Sequence, residues 1–214
     1  MQKLIFIFWD GSENMAEEKR MAGDYEIIHA IHIGDKEVVF GIDNKNEFDL
    51  KYLCSYYTAN EIFERYDENM VSGDYLEIMK LFCERVNTQI EVVKAEQEKT
   101  TVPRDVITAE MCFPNDYTQS IEEKVVAIKA SVLRNEYQTA DRQLVLVTGG
   151  FGAAANSRGT ACFTTNLYSG KNSRWERYDI QGEVHPNHMP QWAKEKLAAI
   201  QSEKQNPFTS KEAR

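Results

Sequence analysis

Gln143 to Gly152 reads Gln-Leu-Val-Leu-Val-Thr-Gly-Gly-Phe-Gly, a short apolar run that ends in a glycine cluster. Glycine amides packed this closely can cradle a phosphate, because no Cβ blocks the approach. The dinucleotide fingerprint, however, needs glycines at the first, third and sixth positions of a loop that opens a helix. Here Ala153-Ala154-Ala155-Asn156-Ser157-Arg158-Gly159 follows, and then a strand. No Gly-Lys-Ser/Thr occurs. The cluster therefore reads as a wide β-connection that needs positive φ. Ala153 to Ser157 read as its tip, where loops often carry recognition, and Phe151, Asn156 and Arg158 are the candidate contacts of this loop.

His29 and His32 lie three apart on a strand pattern and so point to opposite faces. His29 shares its face with isoleucines and reads as a core histidine. His185 and His188 flank Pro186, and His-x-x-His could hold a metal if a carboxylate or thiol joined them. Asp10 and Asp43 both follow strand patterns and could pair as strand-end carboxylates around Mg²⁺. No Gly-x-Ser-x-Gly elbow occurs. Cys54, Cys83, Cys112 and Cys162 form no Cys-x-x-Cys pair, so reduced, buried thiols are the expectation. A nucleophilic Cys54 or Cys112 carries no local signature. We assign no catalytic residue, cofactor or resident metal, and a non-enzyme is the favoured class.

Two charge patterns remain. Arg142, Arg158, Lys171, Arg174 and Arg177 interleave with Phe151, Phe163, Tyr168, Trp175 and Tyr178. Basic and aromatic residues mixed in this way can grip single-stranded nucleic acid, although cross-strand ion pairs would use the same residues. Glu122, Glu123, Glu136, Asp141 and Glu176 dilute the positive charge. The second pattern is acidic. The net charge of −9 falls entirely in residues 1–75, and residues 76–214 are neutral. Asp43, Glu47, Asp49, Glu61, Glu64, Asp67, Glu68 and Asp74 lie close together in the chain. Carboxylates spaced on a hairpin can imitate phosphates and dock in a Lys/Arg-lined groove. The same acidity could serve solubility alone.

The elements that would position these groups are legible from period and punctuation. Lys3 to Trp9 reads as a strand buried on both faces, and Glu13 to Gly23 as a short helix or loop. Tyr25 to Ile33 and Glu37 to Asp43 form a hairpin about Gly34-Asp35. Leu50 to Tyr57 is a third strand. Thr58-Ala59-Asn60-Glu61 fits a capping box and predicts a short helix to about Asp67. Ser72 is placed to cap a long helix whose stripe is Tyr75, Ile78, Met79, Phe82, Val86, Ile90 and Val93. That helix should cover the hairpin sheet. Pro103 ends any continuation.

Val106 to Thr108, Lys124 to Lys129, Leu144 to Thr148, Thr160 to Tyr168 and Ser173 to Val184 read as strands of a small antiparallel barrel or curled sheet. Gln191 to Gln201 is a closing helix. The expected organisation is α+β: an acidic module at 1–100, a β-rich module at 101–204 and a frayed polar tail at 205–214. The longest apolar run, Leu4 to Trp9, is too short to cross a bilayer and lacks signal-peptide flanks, so a cytoplasmic location is expected.

The segments Val-Thr-Gly-Gly-Phe-Gly, Asn-Ser-Arg-Gly-Thr-Ala-Cys-Phe, Tyr-Ser-Gly-Lys, Arg-Trp-Glu-Arg-Tyr-Asp and Leu-Ala-Ala-Ile-Gln resemble a poorly characterised family. That family is carried on conjugative elements and prophages of Gram-positive gut bacteria. The resemblance covers roughly residues 100–201, with a weaker echo over 25–95. It implies a mobile-element accessory protein, and such elements carry small acidic inhibitors of host restriction or CRISPR nucleases. Three functions are expected, in order. The first is a non-enzymatic protein that binds a basic, nucleic-acid-handling host protein. Its contacts would be Asp43, Glu47, Asp49, Glu64, Asp67 and Glu68, with the Phe151–Arg158 loop as a second site. The second is a metal-dependent enzyme acting on nucleic acid or nucleotide. The third is a single-strand-binding β module.

Overall fold

A computed structural model describes residues 19–59 and 63–205. The strand expected at Lys3–Trp9, with Asp10 after it, lies outside them, as do Glu61 and residues 206–214 of the tail. The protein is α+β. Its contacts divide it into two compact units, Met1–Lys94 and Ala95–Arg214.

The first unit is one antiparallel sheet in the order β1-β2-β3-β4-β5. Its strands are β1 (Met21–Ala22), β2 (Tyr25–Ile33), β3 (Lys36–Ile42), β4 (Tyr52–Ala59) and β5 (Glu64–Ser72). The Gly34-Asp35 hairpin forms as its turn chemistry dictates, with Ile33 opposite Lys36 and Gly34 at φ +67°. Helix α1 (Tyr75–Glu98) then lays Ile78 and Phe82 on Val38, Phe40, Cys54 and Tyr56.

Arg20 closes the sheet. It extends the line of β1, where its carbonyl accepts Ile27 N. Its guanidinium grips Glu37 of β3 with two bonds of 3.0 and 2.7 Å. It also stacks over Tyr57 of β4 at 4.1 Å and donates to the Tyr66 hydroxyl of β5 at 3.2 Å. A flat sheet would separate its outer strands by about 19 Å, four strand spacings, which no side chain spans. The sheet is therefore strongly curled and nearly closed. The bond to Glu37 raises the Arg20 pKa.

Four expectations for this unit need correction. The capping box after Thr58 starts no helix: β4 runs through Ala59, and Glu64 to Asp67 belong to β5. Local capping chemistry loses to pairing, because β4 is buried and its free edge needs a partner. The Glu13–Gly23 segment holds a strand, Met21–Ala22, where it is described. The cap of α1 is Asp74, whose Oδ1 accepts the amides of Leu76 and Glu77, while Ser72 Oγ donates to Glu77. His29 is exposed and only tilts against Phe40 at 6.0 Å, because the β2–β3 register shifts between Ile27 and His29.

The apolar stripe of α1 also contains a charge. Arg85 is 8% exposed. The β4–β5 register slips between Cys54 and Tyr56, with Glu68 at φ +53°. Such a bulge leaves carbonyls without ladder partners. Arg85 donates to two of them, Cys54 O at 3.1 Å and Glu68 O at 2.6 Å, and Ser55 Oγ donates to Asp67 O. Arginine lies in the stripe because the bulge needs donors there.

The second unit is a five-stranded antiparallel sheet in the order β10-β6-β7-β8-β9. These are β6 (Val125–Ile128), β7 (Leu144–Gly149), β8 (Ala161–Asn166), β9 (Asn172–Glu176) and β10 (Ile180–Glu183). A one-turn helix, α2 (Ala140–Gln143), leads into β7, and α3 (Gln191–Gln205) follows β10. Strands β6 and β7 are apolar on both faces, and both faces are covered. Val125, Leu144 and Leu146 pack with Leu167, Ala193, Trp192 and Leu197 on the α3 side. Val126, Ile128, Val145 and Val147 pack with Ile121, Ala153, Cys162 and Ile180 on the other.

Here too the expectations shift. Val106–Thr108 is not a strand. The Ile107 amide and carbonyl both pair with the buried Gln143 amide group, at 2.8 and 3.0 Å, so a side chain replaces the neighbouring strand. Ser173–Val184 is two strands broken by a turn at Arg177–Asp179. Helix α3 continues to Gln205, four residues beyond the expected end.

Cys83 is exposed, whereas Cys54, Cys112 and Cys162 are buried. One thiol in four should therefore react rapidly with DTNB under native conditions, and Cys83→Ser should abolish that phase. Burial also pushes the Cys112 thiol from 9.0 to about 11. The unfolded chain surrenders this proton first as pH rises, so its contribution to stability is lost between those values. Urea midpoints measured over that range should fall, and less steeply in Cys112→Ala.

Candidate docking surface

The β3–β4 connection, residues 43–51, is built to hold one shape. Asp43 N donates to Lys51 O across its base at 2.9 Å. Asp43 Oδ1 accepts Lys45 N at 2.9 Å, an Asx turn. Asn46 Oδ1 accepts both Phe48 N and Leu50 N, at 3.0 and 3.2 Å. Tyr25 donates its hydroxyl to Leu50 O at 2.8 Å. Asp49 takes a left-handed φ of +56°, which Asp tolerates better than most residues. A Cβ on Gly73 would collide with Asp49 O, so only glycine lets the loop lie against the start of α1.

These bonds consume the loop's backbone and leave its side chains outside. Phe48 is 84% exposed between Glu47 and Asp49, and Leu76 on the first turn of α1 is 73% exposed. Asp43, Glu47 and Asp49 thus share one loop, with Asp74 and Glu77 at the adjoining helix start. Burial, and then the Asp43 and Asp24 carboxylates, raise the Tyr25 phenol. Lys45 and Lys51 are the cations among them, and Lys51 Nζ lies 3.4 Å from Asp49. Sequence reading did not single out Phe48. Its signal was available: an aromatic set between two carboxylates in an otherwise polar loop.

The other three carboxylates are elsewhere. Glu64, Asp67 and Glu68 lie along the edge strand β5. Glu64 pairs opposite Ala59 and the 43–51 loop joins at Tyr52, seven residues apart on β4, about 23 Å. Glu64 accepts the Tyr57 hydroxyl at 2.8 Å, and Asp67 pairs with Arg65 at 2.6 Å. The six residues therefore form one loop cluster and one edge row.

In the second unit Gly150 takes φ +102°, and a Cβ there would strike Ala161 O, so the wide connection is what requires this glycine. Phe151 is 82% exposed and Arg158 is exposed. Asn156 takes φ +53°, and its amide donates to Tyr117 O at 2.8 Å. Ala153, expected at the tip, is fully buried under the sheet. The candidate nucleic-acid patch loses Arg177, which is 1% exposed. Arg177 donates to Gly152 O, Asp116 O, Gln119 O and Asn115 Oδ1, at 2.9 to 3.2 Å. Burial without an ion-pair partner lowers its pKa. Arg174 pairs with Glu176, and Arg142 stacks over Tyr137 at 4.6 Å. The His185 and His188 rings lie 6.1 Å apart, with His185 against Phe113 at 3.7 Å. Among the described residues no three His, Cys, Asp or Glu side chains gather as a metal site. No described helix is long and apolar enough to cross a membrane.

Arg177→Met should cost on the order of 3 kcal/mol, because it strands the buried Gly152 carbonyl together with two part-buried ones. Urea unfolding followed by tryptophan fluorescence measures it.

No protein-family model matches this chain, nor does any curated protein or any solved structure.

Proposed function

We propose that the protein is a non-enzymatic docking protein of a mobile element that binds a basic, nucleic-acid-handling host protein, as an inhibitor of anti-CRISPR or antirestriction type. The observation that carries this reading is Phe48, 84% exposed on a cross-braced loop between Glu47 and Asp49. An aromatic ring held in water costs free energy that only a partner's pocket recovers. Carboxylates around it reject acidic partners and steer basic ones. Because the loop is already fixed, little ordering entropy opposes binding. The contacts are Asp43, Glu47, Phe48 and Asp49, with Leu76 beside them. Glu64, Asp67 and Glu68 form a separate acidic row on β5. The mobile-element setting rests on the sequence resemblance, and the basic partner on the charge.

Pull-down from host lysate tests it. The wild-type chain should retain a basic nucleic-acid-handling protein at low salt and release it at high salt. Phe48→Ala should weaken retention by about 10- to 100-fold, the worth of one buried Phe side chain. Glu47→Gln with Asp49→Asn should weaken it most at low salt. All three positions are exposed, so melting temperatures should stay within about a degree or two. Retention of the same proteins by wild type and variants alike would end this reading.

A further inference from the structure

A small cleft of ≈ 220 Å³ in the second unit is lined by Glu96, Lys99, Thr100, Asp141, Arg142, Asn166, Tyr168, Ser169 and Lys171. Three cations therefore share its wall with two carboxylates. Neither Lys99 nor Lys171 has an ion-pair partner among the described residues. Arg142 makes only long contacts, 3.4 Å to Glu96 and 3.5 Å to Asp141. The two carboxylates leave one positive charge in excess on this wall, which an anion would neutralise.

The wall is pre-organised. Asn166 Oδ1 accepts Ser169 N at 2.7 Å and Ser169 Oγ at 2.9 Å. Gly170, at φ +69°, lets the turn close, and its amide donates to Asn166 O. Tyr168 stands edge-on to Trp192, and its hydroxyl meets Thr101 N and Lys99 O. The turn therefore carries the 99–101 segment to the same cleft as Lys171.

At this cleft lies a second, independent oddity. The Asp141 side chain is 4% exposed, and its Oδ1 meets no donor. A buried carboxylate oxygen left unpaired is costly and rarely kept without a use. Here Oδ2 faces Arg142 and Oδ1 waits for a donor.

We propose that this cleft binds a phosphate monoester carrying a neighbouring hydroxyl. Lys99, Lys171 and Arg142 hold the dianionic phosphate, with the Ser169 and Thr100 hydroxyls beside them. Arg142 keeps Asp141 on its Nε and turns its remaining N–H donors to the anion, and the ligand hydroxyl donates to Oδ1. The volume is below the ~300–1,000 Å³ of sites that enclose a drug-sized ligand. The cleft therefore engulfs the phosphate and its nearest hydroxyl and leaves the remainder of the molecule outside. This site is independent of the acidic loop, and its test requires no protein partner.

The test is titration of the full chain by calorimetry and amide NMR with ribose 5-phosphate, inorganic phosphate and an unphosphorylated thymidine oligonucleotide. Ribose 5-phosphate should bind one to one and shift the amides of residues 99–101 and 166–171. Inorganic phosphate should bind more weakly. Lys99→Ala with Lys171→Ala should weaken ribose 5-phosphate about tenfold or more, the loss of a charge-assisted hydrogen bond. Lys194→Ala, on the exposed side of α3, should leave affinity unchanged. Both lysines are surface residues, so circular dichroism should match wild type. Absence of saturable binding, or unaltered affinity in the double variant, would overturn the proposal. So would equal affinity for ribose 5-phosphate and inorganic phosphate, because no ligand donor would then meet Asp141. Equally tight binding of the oligonucleotide would replace it with a site for the nucleic-acid backbone.

Discussion

A guanidinium that satisfies backbone carbonyls is the interaction on which both units depend. Arg177, 1% exposed, joins the 115–119 segment to the carbonyl of Gly152. Arg85, 8% exposed, supplies the donors that the β4–β5 bulge lacks. Among the described residues neither donates to a carboxylate. Five planar N–H donors let one arginine replace several ladder bonds where strands stop, slip or turn. Arg20 does related work with a carboxylate and two tyrosines, and the curl of the first sheet follows from its reach.

These ties change the electrostatic account of the surface. A positive charge spent on buried carbonyls cannot greet a nucleic acid. Withdrawing Arg177 thins the basic-aromatic pattern of the second unit, and Arg174 is already paired with Glu176. Carboxylates in the first unit meet a different fate. Glu64 and Asp67 on β5 are engaged by Tyr57 and Arg65, whereas the loop carboxylates stand beside an exposed phenylalanine. Charge counted along the chain treats all six alike, and the fold does not.

The two candidate surfaces ask for opposite chemistry. The 43–51 loop offers an aromatic among carboxylates, braced by Asn46 and Tyr25. The Lys99–Lys171 cleft offers ammonium groups and a buried carboxylate oxygen without a donor. In both, side-chain hydrogen bonds to the backbone fix the frame and leave the functional groups free. Rigidity of this kind lowers the entropy lost on binding.

The sequence by itself determined the features that rest on short-range physics. Alternation and Gly34-Asp35 specified the first hairpin. The three-and-four spacing of Ile78, Phe82 and Val93 specified α1 and its buried face. The apolar runs at Lys124–Lys129 and Leu144–Thr148 marked strands, and α+β followed from these; that both faces are covered came from the fold. Only tertiary structure decided what depended on partners far away in the chain. Residues 64–72 became a strand because β4 needed an edge partner, although Thr58-Ala59-Asn60-Glu61 favoured a cap. Val106–Thr108 lost its strand because the Gln143 side chain took the neighbouring place. Arg177 moved from surface to core because carbonyls from two distant segments converge on it. The candidate site divides in the same way. The acidity of 43–49 was visible in composition, but the exposure of Phe48 and the separation of Glu64 from Asp43 were set by strand register. The orphan oxygen of Asp141 leaves no trace in the sequence. A hydrogen-bond donor within reach is a property of space, and neither pattern nor propensity encodes its absence.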